Sequence, residues 1–113
     1  MRSLRLLGLT FGLLTLLGGC ATHHYRIHTK GGAASATFYL RQTEARTVVL
    51  FASLNGFSPR TAMLAKGCWV NSLPADREFT YFYKVDGEVF IPDCRYKEGD
   101  DFGQENCIFL PGR

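Results

Sequence analysis

No histidine follows His28 in this 113-residue chain. A Ser-His-Asp or Cys-His pair needs an imidazole to take the nucleophile's proton, so the residues after His28 cannot assemble one. Cys20, Cys68, Cys94 and Cys107 show no C-x-x-C spacing, which argues against a thiolate metal site. Charge of either sign is modest. Setting aside Arg2 and Arg5, two of the 13 basic residues, leaves 11 against 10 acidic ones. That balance excludes a basic nucleic-acid binder. The run Lys97-Glu98-Gly99-Asp100-Asp101 lacks the spacing of an EF-hand, and Asp100 and Asp101 read as solvated turn residues. No segment carries a helical period. The length allows one small domain and leaves little room for a cofactor-dependent enzyme, while an aromatic fraction of 13% and modest charge argue against disorder. The expectation is a binding or structural protein with no cofactor and no nucleic-acid partner.

What is present begins with an address. Arg2 and Arg5 precede the apolar run Leu6 to Leu17, and Gly18-Gly19 follow, so residues 1–19 have the layout of a signal peptide. The run is about a dozen residues, too short to span a bilayer comfortably. Leu17-Gly18-Gly19-Cys20 resembles the lipobox of bacterial lipoproteins. The resemblance implies cleavage before Cys20 and acylation of its sulfur and amine, palmitate included. Acyl chains each contribute about 0.8 kcal/mol per buried CH₂ toward membrane attachment. With Ala21 rather than Asp after the cysteine, the resemblance implies an outer-membrane destination, a cell-membrane anchor being the alternative, with the domain in the periplasm. Residues 20–34 then read as a lipidated tether without apolar periodicity. His23, His24 and His28 read as parts of a solvated linker, because no nearby carboxylate completes a metal-ligand set.

From Ala36 the pattern has period two. Ala36, Phe38 and Leu40 share one face, Gln42 to Arg46 is a polar turn, and Val48, Leu50, Ala52 and Leu54 align up to Asn55-Gly56. Cys68 to Leu73 fits a strand. Phe79, Tyr81, Tyr83 and Val85 alternate with Thr80, Phe82 and Lys84, and Asp86-Gly87 supplies a hairpin turn returning through Glu88 to Ile91. Asn106 to Leu110 closes the set. The expected fold is an all-β, immunoglobulin-like antiparallel β-sandwich over residues 35–113.

Several of these residues carry a resemblance. Val48 to Phe57, Gly67-Cys68-Trp69, Phe79 to Gly87 and Asp101 to Asn106, in this order, are similar to the glycogen-binding and isoamylase N-terminal (early-set) modules. Such modules bind α-glucans without catalysis and also occur in the β subunit of the AMP-activated protein kinase. The resemblance implies glycan contacts at Phe57, where family members stack a tryptophan, at Phe82 in place of a lysine, and at Phe102, Gln104 and Asn106 on the closing strand. A second stacking tryptophan corresponds to Val89, which cannot stack, and the neighbouring Phe90 points to the other face of its strand. Trp69 corresponds to a framework position. The expected partner is an α-glucan or related oligosaccharide; the alternative is an envelope protein docked on an exposed phenylalanine face.

With Cys20 acylated, Cys68, Cys94 and Cys107 remain, and one pair can form. Cys94–Cys107 is the expected disulfide, stapling the acidic loop between two strands. Cys68 then sits buried beside Trp69 or stays available for an intermolecular bond.

Overall fold

The computed structural model describes residues 22–99 and 102–112; the signal segment, Cys20 and the Asp100-Asp101 pair lie outside them. The chain folds as an all-β, immunoglobulin-like sandwich of two antiparallel sheets. The strands are β1 (His23–Lys30), β2 (Ala33–Leu40), β3 (Val48–Ala52), β4 (Pro59–Thr61), β5 (Met63–Ala65), β6 (Cys68–Pro74), β7 (Phe79–Val85), β8 (Glu88–Phe90), β9 (Lys97–Gly99) and β10 (Glu105–Phe109). One sheet has the order β1-β2-β6-β5. The other runs β4-β3-β7-β10-β9, with β8 also paired to β7.

The alternation of apolar residues does what it should. Ala36, Phe38 and Leu40 of β2, Val48, Leu50 and Ala52 of β3, and Phe79, Tyr81 and Tyr83 of β7 are all buried, facing one another between the sheets. The core is mainly aromatic. Phe38 lies edge-on to Tyr81 with centroids 5.1 Å apart, Phe79 stacks on Phe109 at 4.9 Å, and Tyr25 meets Phe109 at 5.1 Å. Trp69 is buried, and its indole N–H donates to the Gln42 carbonyl at 3.1 Å.

Residues 23–34 correct the tether reading. His23 to Lys30 form an edge strand paired with β2 from His23↔Leu40 to Lys30↔Ala33, so the folded module begins near His23 rather than at residue 35. Gly31 and Gly32, both at positive φ (60° and 83°), make the two-residue hairpin turn that joins them. Tyr25 of this strand packs against the core. The histidines belong to the fold and are not linker residues.

Other turns follow the sequence more closely. Asp86 (φ 50°) and Gly87 (φ 86°) form the expected hairpin turn. The Asp86 Oδ1 accepts the backbone N–H groups of Arg46 and Thr47, each at 2.8 Å, and so pins the polar 42–47 loop. These two hydrogen bonds hold the Asp86 carboxyl below the usual carboxylate range. The strand read as far as Leu54 ends earlier. Ser53–Asn55 form a single 3-10 turn, and Gly56 closes it at φ 71°.

Cys94 and Cys107 form the expected disulfide, with Cα atoms 5.9 Å apart. Cys68 is buried, as expected, and is itself in a disulfide rather than free. Only the Cys94–Cys107 bond lies wholly within the described residues.

Candidate functional site

The outward side of the six-stranded sheet carries an aromatic cluster. Phe51 of β3 and Phe82 of β7 are register partners, and both have the parity opposite to the core rows. Their rings stack with centroids 5.1 Å apart and an interplanar angle of 9°. Phe57 reaches the same place from the loop after the 3-10 turn. It adopts φ 62°, its N–H is held by the Ala52 carbonyl at 2.9 Å, and its ring lies 6.1 Å from Phe82. A non-glycine residue in the left-handed region is uncommon, and here it aims an aromatic ring over the sheet. Phe57 remains 39% exposed.

Polar groups border these rings. Lys84 Nζ lies 5.5 Å from the Phe51 centroid, a cation–π contact. One residue beyond the Cys107↔Tyr81 pair, the β7–β10 register brings Asn106 alongside Phe82. Gln104 Nε2 donates to Asn106 Oδ1 at 3.2 Å, orienting that amide. Four of the five expected contact residues, Phe57, Phe82, Gln104 and Asn106, thus belong to this side of the sheet. Phe102 stands 94% exposed in the turn before β10. Val89 points outward at 48% exposure opposite Lys84, and Phe90 packs against the core, as the strand period requires.

Sequence reasoning missed two members of this site, Phe51 and Lys84. Both signals were available, because Phe51 alternates with the buried Leu50 and Ala52, and Lys84 with Tyr83.

A second concavity, about 320 Å³, opens between the start of β1 and the segment before β9. It is lined by His23, Tyr25, Tyr81, Asp93, Arg95 and Tyr96, among others. His23 Nε2 is 3.5 Å from the Tyr81 hydroxyl, and its ring packs on Tyr81 and Tyr83 with both centroids 5.9 Å away. Burial pushes its imidazole down to about 4, helped by His24 and opposed by Asp93. Burial also raises the Tyr81 hydroxyl well above its ordinary value, with Tyr25 adding to the shift. An imidazole that stays neutral beside a phenol that does not ionise is a packed pair. The lining contains no serine or threonine hydroxyl, and its one cysteine, Cys94, is in a disulfide.

In comparisons with known proteins, no family model matches the chain and no curated protein is significantly similar to it.

Proposed function

We propose that this chain is an envelope lipoprotein whose sandwich is a non-catalytic binding module of the early-set kind. A lipid on Cys20 holds it at the outer or cell membrane with the domain in the periplasm. The outward aromatic face of the six-stranded sheet takes an α-glucan or related oligosaccharide. The supporting observation is the flat Phe51–Phe82 stack flanked by Phe57, with Lys84, Gln104 and Asn106 at its border. A pyranose presents an apolar C–H face and a rim of hydroxyls. It needs an aromatic platform beside amide and ammonium groups, which is what these residues offer.

Affinity electrophoresis through amylose and glycogen, with cyclodextrin titration, tests the reading. Phe82→Ala is expected to weaken retention at least tenfold, because it removes the middle ring of the three. Unchanged retention in that variant would move the site elsewhere. A second reading, docking of an envelope protein, is favoured by Phe102, whose 94% exposure adds apolar surface without a hydrogen-bonding group. It predicts no glucan retention and a specific partner lost in Phe102→Glu.

The anchor has its own test in cysteine chemistry. Cys68 is in a disulfide, and Cys94 and Cys107 hold each other. Cys20 is the remaining cysteine of the sequence. A sulfur bound to lipid as a thioether cannot also form a disulfide. An acylated chain therefore joins Cys68 to another molecule, and the expected result is an acylated N-terminal peptide together with a band that shifts on reduction. Mapping of a Cys20–Cys68 peptide in the mature protein would exclude acylation at that sulfur.

A further inference from the structure

The outer face of the four-stranded sheet holds a cleft of about 410 Å³ that the aromatic site does not use. It lies between β1, β2 and the β5–β6 turn, lined by His24, Arg26, Tyr39, Lys66 and Val70, with Cys68 and Ala65 completing it. The lining contains an imidazole, a guanidinium and an ammonium, and no carboxylate. The strands explain the grouping. His24 and Arg26 are two apart on β1 and so share a face, and Tyr39 stands between His24 and Val70 in the register. Lys66 comes in from the turn to β6, at φ 52° beside Gly67. The His24 ring stacks on Tyr39 at 4.7 Å and 13°, and its Nδ1 is buried with no hydrogen-bond partner. His24 lines the neighbouring concavity as well, so its imidazole forms part of the wall between the two.

We propose that this cleft receives the anionic phosphodiester headgroup of a lipid in the membrane that holds the chain. The assignment rests on the anchor reading above, which fixes where the membrane lies. Thr22 accepts the Arg41 N–H at 3.1 Å at the start of β1, and Cys20 precedes Thr22 by two residues in the sequence. His24 is two residues on the other side. On the anchor reading, His24 at the cleft follows the acylated cysteine by only four residues of chain. The Arg26 guanidinium can clasp two phosphate oxygens, and Lys66 supplies a point charge beside it. Asp93 lines the neighbouring concavity and not this one.

The test uses the purified chain in neutral detergent micelles doped with phosphatidylglycerol or phosphatidylcholine, reading the His24 ring and Arg26 side-chain NMR resonances. Phosphatidylglycerol is expected to shift both saturably and phosphatidylcholine to leave them unmoved. Combining Arg26→Gln with Lys66→Gln is expected to weaken the response at least tenfold, with Trp69 fluorescence reporting an intact fold. No response to phosphatidylglycerol, or an equal one to phosphatidylcholine, overturns the proposal. Inorganic phosphate titrated in the same micelles is expected to act far more weakly. Half-saturation by phosphate as low as by the lipid would overturn the lipid assignment and make this a free-phosphate site. Mass analysis of the same sample reads acylation at Cys20 independently. A phosphatidylglycerol response from an unacylated chain upholds the cleft and removes the anchor.

Discussion

Acidification from pH 6.5 to about 4 is expected to remove roughly 2–3 kcal/mol of folding free energy through His23 alone. The folded-state value lies near 4 and the unfolded one near 6.5, so between them the unfolded chain binds the extra proton. Stability from this group is complete above pH 6.5, falls as the pH drops toward 4, and is flat below. The cause is placement. The His23 ring sits among Phe38, Tyr81 and Tyr83, where an imidazolium loses its hydration and meets no carboxylate at contact distance. Urea unfolding at a series of pH values measures the slope, and His23→Phe is expected to abolish it while keeping an aromatic ring in place. A wild-type midpoint that does not move between pH 7 and pH 4.5 would refute the assignment. Asp86 acts in a separate window. Its depressed carboxyl stabilises above the unfolded value of 3.8 and stops doing so as the pH falls through its lower folded value.

Removing the Cys94–Cys107 bond is the other large effect. The two residues are 13 apart, and a loop of that size is worth about 3 kcal/mol in the chain-entropy model. Cys107 is fully buried in β10 and Cys94 packs against the core, so the bond ties the 92–96 segment to the sandwich. A Cys94→Ala/Cys107→Ala double variant is expected to melt about 12 °C or more below the parent. It should also loosen the wall of the His23 concavity, shallowing the acid slope described above. A melting shift of only about 2 °C would mean that packing of Pro92 and Cys107, rather than the cross-link, holds the segment.

The core rows were legible because each had clean period-two alternation over five or more residues, as in Phe79-Thr80-Tyr81-Phe82-Tyr83. The disulfide was legible because the candidate pair closed a loop between two strands. The first strand was not. His23-His24-Tyr25-Arg26-Ile27-His28 alternates too, yet histidine reads as polar on either face, and the buried partner of the pattern is itself a histidine. With that strand unread, Gly31-Gly32 looked like linker glycines when they are a hairpin turn. The short strands β4, β5 and β9 are three residues each and exposed, too brief to show any period. At the candidate site, alternation already placed Phe82 on the outward side of its strand, whereas Phe57, in a loop, was joined to it only through the family resemblance. The sharp backbone twist at Phe57 that brings its ring to Phe82 depends on the 3-10 turn, which no apolar period announces.

The edge position of β1 also has a mechanical side. Any tension delivered through the segment before Thr22 enters the sandwich at the His23 end of that strand, whose only sheet neighbour among the described residues is β2. A pull directed away from the sheet edge would open the ladder one register pair at a time, from His23↔Leu40 toward the glycine turn, rather than shearing all eight together. The first pair to bear load is also the one whose side chain is wedged among three aromatic rings. His23 is thus the catch of the zipper, and a catch that acid releases.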